Sequence, residues 1–560
     1  MRVGPDCQVR VLASEQVRIA LVGDFLLTTA EESGLLAAVA ERRWSDLMAL
    51  PGSYWVVARA GKHSFVCGDL SGLRSIFYAR QPGCIWSTSA QRLAVHQDAL
   101  PDLPFLAARI TAGAEHWPGR TVYDGVHAVP AGFGLLLGGE PVLVDVSGYA
   151  PSATLEQGAP VSADALERAV QWRMEEADGL VGADVSGGLD SSTLAILASR
   201  AGSIRAVTYA DRFTSSEDLD FARRVASHMG TELKVGAGGP KELPFGWSWD
   251  QPVPDQPAAL SLTCAQHALY LRPAAGLPLH FTGNGGDIVL DSCSAAWIGM
   301  VQCGDRRAAR RQVTGWARAR NRPPRDLWQA VTRAASITHD EALTRAADRV
   351  ERADFGHRRS GVWSWCHLGQ SAKWLTPHGR EQVAGMLREA ASAATTEARA
   401  DLAEQRTSLR LVGADARDTV PLTRPWRIRQ VHPFLDNQVV RAAFTITPVE
   451  RHGVTTFKPL LAAALPFLPP WLTGRTSKGS FSRQLTAGMV HHRPALADLI
   501  RTSPLATNGL LDAEPALAAL ARVGGTAAGD LYDLQRLVMT CQWLAARERL
   551  LTTPGREAAC

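Results

Sequence analysis

At 560 residues the chain is too long for a single hydrophobic core, and two domains are expected. Hydrophobic residues at 46% and charged residues at 20% exclude wholesale disorder, and a formal net charge of +4 over this length argues against a nucleic-acid partner. No basic-flanked apolar segment opens the chain, no uninterrupted apolar run reaches bilayer length, and nine scattered cysteines form no Cys-x-x-Cys pair; a cytoplasmic protein with free thiols, no membrane partner, no zinc site and no disulfide framework is expected.

Residues 1–150 read as a β-leaning module with some helix. The runs 17–22, 54–58 and 64–67 are rich in strand formers, and Gly-Lys at 61–62 and Gln-Pro-Gly at 81–83 punctuate hairpin-like turns. Residues 31–47 have the pattern of an amphipathic helix. Residues 151–160 contain Pro, Ser and Gly without periodicity and are expected to be the linker. A helix is predicted over 161–174, with Ser162 as N-cap and Asp164 and Glu167 near the positive end of its dipole. A second domain, 161–560, begins there.

The segment 185–192 reads Val-Ser-Gly-Gly-Leu-Asp-Ser-Ser. A short apolar run, 180–185, precedes it, and Leu194, Leu197, Ala198 and Ala201 follow at helical spacing, so the loop joins a strand to a helix N-terminus. Unpaired N–H groups and the helix dipole favour anionic oxygens there. Gly187 and Gly188 permit close approach of a phosphate, Ser186 and Ser191 add hydroxyls, and the acceptor-only Asp190 suits a bridging Mg²⁺. Taken alone, an ordinary turn capped by Ser and Asp would also explain the pattern. The Walker lysine is absent.

Strand 204–209 and helix 217–228 come next, the latter with Ala222, Val225, Ala226 and Met229 on one face and Gly230 closing it. Strand, helix, strand, helix implies a parallel sheet with ligands at its C-terminal edge. A third strand, 279–282, delivers Gly283-Asn-Gly-Gly-Asp287. The Pro-rich 249–257 is expected as an extended loop near the site mouth, and the Arg-dense 306–333 as a solvated helical face. Residues 531–550 form an amphipathic helix for core packing.

Ser-Gly-Gly-x-Asp-Ser resembles the loop of ATP pyrophosphatases, which split ATP between the α and β phosphates. Gly52-Ser-Tyr-Trp-Val-Val57, Gly68-Asp-Leu-Ser-Gly-Leu-Arg74, Ile85-Trp-Ser-Thr-Ser89 and Tyr123-Asp-Gly-Val-His-Ala-Val-Pro130 resemble the glutaminase domain of the asparagine synthetase family, and the motifs at 431–436, 456–461 and 474–481 resemble its synthetase segments. The resemblance implies an α/β chain: an N-terminal Ntn-type glutaminase-like α+β sandwich, then an ATP-pyrophosphatase-type parallel-sheet domain with helical additions. It implies that Val185, Ser186, Gly187, Gly188, Asp190, Ser191, Ser192 and Gly283 bind ATP and pyrophosphate, and that Asp190 and Asp287 share Mg²⁺. By the same match Lys478 is the electrostatic catalyst at the α-phosphate, with Asn284 and Arg475 as substrate contacts.

Two departures narrow the activity. The family's glutaminase uses an N-terminal cysteine as nucleophile; position 2 is Arg2, and Cys7 reads as the start of a strand, so that domain is expected to be degenerate. β-Lactam synthetases carry a tyrosine where this chain has Asn284, partnered by a downstream glutamate, and the Arg-rich 314–320 offers none. The remaining resemblance is to lasso-peptide cyclases, which activate an Asp or Glu side chain of a core peptide with ATP and join it to the peptide α-amine. A precursor peptide, a leader-binding protein and a leader protease are the partners this implies. An amide ligase using ammonia or a small amine, of β-lactam synthetase or asparagine synthetase type, and a non-catalytic peptide-binding scaffold are the alternatives.

Overall fold

Alternation of buried and exposed side chains shapes the first 150 residues: Val17, Ile19 and Leu21 face the core while Arg18 faces solvent. The computed structural model describes residues 7–80, 83–355, 361–394, 398–454, 456–477, 479–525 and 530–552, so Arg2 and Lys478 lie outside the described residues. Strands β1 (Gln8–Ala13), β2 (Val17–Phe25), β3 (Gly52–Ala60), β4 (His63–Cys67), β5 (Ile76–Ala79), β6 (Ile85–Ser87), β7 (His127–Val129), β8 (Phe133–Leu137) and β9 (Val142–Asp145) form two antiparallel sheets. Their orders are β1-β2-β3-β4-β8-β9 and β6-β5-β7. Gly61, at φ +59°, makes the turn between β3 and β4 where Gly-Lys predicted one.

The second sheet system is parallel throughout. β10 (Val181–Asp184), β11 (Ile204–Ala210), β12 (Leu233–Ala237), β13 (His280–Phe281) and β14 (Gln430–Val431) lie in the order β12-β11-β10-β13-β14. The chain builds outward from β10 to β12, then returns to the other side of β10 for β13 and β14. The reversal opens a crevice between the loops leaving β10 and β13, at the strands' carboxyl ends.

Helical expectations are corrected in two places. The run 31–47 is not one helix: α1 (Thr29–Ala40) stops short, Arg42 turns left-handed at φ 59°, and a separate 3₁₀ turn spans Trp44–Met48. The expected linker 151–160 is helical for half its length, because α2 (Leu155–Ala177) starts earlier than its apolar periodicity. Thr154 and Gln157 form a reciprocal capping box, and Pro160 lies inside the helix, where it cannot donate to the Glu156 carbonyl. Ser162 is buried within α2 rather than capping it.

The two sheet systems share one core, in which Ile19, Tyr54 and Phe65 belong to the same cluster as Val181, Phe281 and Phe444. Polar links cross the seam as well. Leu70 N–H donates to Asn437 Oδ1 at 3.0 Å, and Asp24 pairs with Arg429 at 2.7 Å and Arg74 at 3.3 Å. Burial alone would raise the Asp24 carboxyl, but the two guanidiniums outweigh it and hold it below the usual carboxylate range. Arg306, Arg307, Arg310 and Arg311 are exposed, and Leu534, Leu537, Val538, Cys541 and Leu544 of Leu531–Thr552 are buried, as their spacing predicts. The 249–257 loop reaches the N-terminal helices: Asp255 caps the helix Ala90–His96 through Ser89 Oγ at 2.7 Å and Ala90 N at 3.0 Å. The eight described cysteines are free, and no described helix is long and apolar enough to cross a membrane.

A further contact ties the N-terminal region to the helical additions. His116 Nδ1 and His339 Nε2 lie 3.2 Å apart, and burial pushes both imidazoles down, to about 4, with His116 also opposing a charge on His339. Their folded values lie below the ordinary value of about 6.5, so the unfolded chain takes up protons first as pH falls. Stability from this pair is complete above about pH 7 and is lost between about pH 6.5 and pH 4. Thermal unfolding midpoints of the wild type should fall more steeply from pH 7 to pH 5 than those of a His116→Asn/His339→Asn variant; parallel curves would count against the pair as the cause.

Candidate functional site

The loop after β10 leads into α3 (Leu189–Ala201), whose N-cap is Gly188. Gly188 has no side chain to accept from the first turn, so those N–H groups stay available to an anion. Gly187 takes φ +79°, and any Cβ there would press on the backbone of α4 (Ser216–His228). Ser186 and Ser191 are held together, with their Oγ atoms 2.9 Å apart and Ser186 N–H donating to Ser191 Oγ at 3.2 Å. Val185 is buried and continues the sheet. Ser192 departs from the expected cradle: its side chain is fully buried and its Oγ has no hydrogen-bond partner among the described residues, so only its backbone is left to the loop.

The second loop packs directly on the first. A Cβ at Gly283 would come 2.6 Å from Ser191 N and 3.0 Å from Asp190 Cβ, and one at Gly286 would collide with the Asp190 carboxylate. Gly283→Ala must therefore push the loops apart. A displacement of about 1 Å costs on the order of 10²-fold in rate, and ATP turnover should fall by about that much while the melting temperature moves little. Unchanged turnover would show that the loop contact is not needed for the chemistry. Asn284 is half-buried in this loop.

Asp287 lies on the short helix α5 (Gly286–Val289). The carbonyls at the end of that helix are taken up by Arg451, whose Nη1 reaches Ile288, Val289 and Asp291 oxygens, each at 3.1 Å. Burial lowers the Arg451 pKa to about 10, and Glu404 and Asp291 offset part of that. Glu404 comes from the helix Ala400–Thr423 and lies against Cys293; burial raises its carboxyl pKa and Ser408 Oγ donates to it at 2.7 Å. This glutamate lies far downstream in sequence of the Arg-rich 314–320.

Lys458 completes the site and was not singled out by its motif. It precedes α6 (Pro459–Ala464) in a left-handed conformation, φ 52°, with its N–H donating to Asp291 Oδ2 at 3.2 Å. Its ammonium pairs with Asp190 and, at 2.7 Å, with Asp287, while its own side chain is 1% exposed. Two carboxylates from different loops thus converge on one cation. A left-handed non-glycine residue costs about 1 kcal/mol or more, and such strain persists where surrounding contacts impose it. A signal was present in the composition: only six of the 59 basic residues are lysines, and two of them fall in 456–481.

Arg475 differs from its expected role. It donates to the Gly187 carbonyl and pairs with Asp218, and its guanidinium stacks 4.2 Å from the Phe221 ring centroid, so it is a strut between the 474–477 segment, α4 and the phosphate loop. Ser477 Oγ adds a 2.7 Å bond to Glu217. Lys478, the expected catalyst, lies outside the described residues.

Among the described residues no three His, Cys, Asp or Glu side chains gather as a metal cluster. Mg²⁺ is commonly held by one or two carboxylates together with substrate phosphates and water, and the converging Asp190 and Asp287 fit that donor set. The family model for asparagine synthase matches residues 162–545, which include both loops and Lys458. The chain matches no curated protein.

Proposed function

The chain belongs to the asparagine synthase family, and on that premise we propose that it closes a macrolactam in a lasso peptide. Membership makes it an ATP-dependent, amide-forming ligase of the asparagine synthetase type; the substrate is the further step. An oxygen of an Asp or Glu side-chain carboxylate in the core peptide attacks the α-phosphorus of ATP, and pyrophosphate leaves. The peptide α-amine then attacks the acyl carbon, loses a proton, and AMP leaves. The peptide loses one water. Holding both ends in one site makes the second step nearly unimolecular.

In this reading the N–H groups of the first turn of α3, with Ser186 and Ser191, bind the phosphates leaving with pyrophosphate. Asp190 and Asp287 would hold Mg²⁺, which when bound offsets phosphate charge as a Lewis acid. Lys458 fixes those carboxylates relative to each other, and Lys478 is assigned to the α-phosphate by its motif. The glutaminase-like N-terminal sheets serve as support and are not a source of ammonia.

The observation that carries a peptide substrate is the asymmetry of the site. On the phosphate side Lys458, Arg475 and Ser192 are buried, whereas on the other side Asp287 is 52% exposed and the Phe457 ring, 5.5 Å from the Lys458 ammonium, is 37% exposed. An open, partly aromatic flank suits a chain better than an enclosed small amino acid. Asn284 in place of the β-lactam synthetase tyrosine supports the same choice. The test is to supply Mg-ATP with leader-free peptides encoded beside this gene, or with aspartate and ammonia, and to weigh the products. Peptide-dependent AMP with loss of one water is expected; asparagine, or bound peptide without AMP, would sink the reading.

A further inference from the structure

A second cavity lies away from the ATP crevice, between the N-terminal sheets and the helix Ala400–Thr423, with a volume of about 100 Å³. That is well above the roughly 15 Å³ that a single water needs. Its charge is one-sided: Arg109, Arg120, Arg410 and Arg417 line it against a single carboxylate, Asp255, and that one is engaged in capping a helix. Arg120 is neutralised by Asp102 and Glu389, and Arg417 by Asp418. Arg109 and Arg410 have no ion-pair partner among the described residues. Arg109 donates to the neutral Gln256 Oε1 at 3.1 Å and Arg410 to the Glu115 backbone carbonyl at 2.7 Å, and both residues line the cavity. Burial pulls both guanidinium pKa values down to about 10, and Asp418 and Glu115 act on them only at longer range. Guanidinium stays charged regardless, so two half-buried cations stand without an ion-pair partner among the described residues.

Phe77, Phe105, Trp117 and Val122 supply an apolar part of the lining, with Arg109 and Arg120 over the Phe105 ring at 5.8 and 5.4 Å and Arg417 over the Phe77 ring at 5.3 Å. We propose that this cavity is a binding site for a compact organic carboxylate, its charged end forked by Arg109 and Arg410 and its body against the aromatic wall. Guanidinium matches a carboxylate in bidentate geometry. Inorganic phosphate or sulfate would satisfy the arginines and waste the wall. The inference does not depend on the peptide reading.

Benzoate is the probe, with benzamide as its uncharged counterpart. In the full-length wild type, phenylglyoxal adducts mapped by mass spectrometry give the modification rate of each arginine. Benzoate at ten times its Kd should slow modification of Arg109 and Arg410 by about tenfold, the factor set by occupancy, and leave the exposed Arg318 unchanged. Benzamide, phosphate and sulfate should protect far less. In calorimetry Arg410→Gln should weaken benzoate by about tenfold or more, the loss of a charge-assisted hydrogen bond. No protection by benzoate, or equal protection by benzamide, phosphate or sulfate, would overturn the proposal.

Discussion

Lys458→Met is expected to lower ATP turnover by about 10²–10³-fold, the loss seen when a preorganised charge is removed from a site where phosphate charge develops. Methionine keeps the unbranched stem and removes only the ammonium. The change leaves Asp190 and Asp287 facing each other with their shared cation gone, where Lys458 had paired with both. Two like charges at short range then repel each other and the incoming phosphates, so KM for ATP should rise as kcat falls. Asp287 is half exposed, so solvent limits the cost to folding, and the melting temperature should change less than the rate. Lys458→Arg should restore little, because a planar fork does not replace a compact ammonium between two oxygens. Turnover within a few-fold of wild type would mean that the ammonium is only a placeholder.

Asp190→Ala should have the larger effect, on the order of 10³-fold or below detection in AMP formation, because it removes a carboxylate proposed above to hold Mg²⁺, a role worth several kcal/mol, together with a partner of Lys458. Asp190→Asn keeps the shape of the loop and should fail nearly as badly, which separates charge from packing. Since Asp190 and Asp287 act on one cation, Asp287→Asn added to Asp190→Asn should cost little more than the first change alone. Independent, additive losses would break the link between the two carboxylates. A folded Asp190→Asn protein with wild-type AMP formation would remove the crevice from the mechanism.

The loops were legible because their chemistry is local. Gly187 and Gly188 between a strand and a helix, and Gly283 to Asp287 after another strand, announce close backbone approach in the residues themselves, and the structure brings the two loops into contact. The start of α2 was not legible from apolar periodicity, which begins only after the capping box of Thr154 and Gln157 has already set the helix. Thr28 and Glu31 likewise opened α1 as a capping box, but its end turned on the left-handed Arg42, which no periodicity marks.

The sequence by itself determined the strand, loop and helix that present an anion site, because turn chemistry and hydrophobic periods act over a few residues. Only the tertiary structure decided what meets there. Lys458 is 268 residues from Asp190, and it reaches both carboxylates because β13 pairs beside β10 and α6 packs on α2. Arg475 likewise became a strut only because α4 offered Asp218. Burial decides which charges must find each other, and burial is a property of the whole fold rather than of any segment.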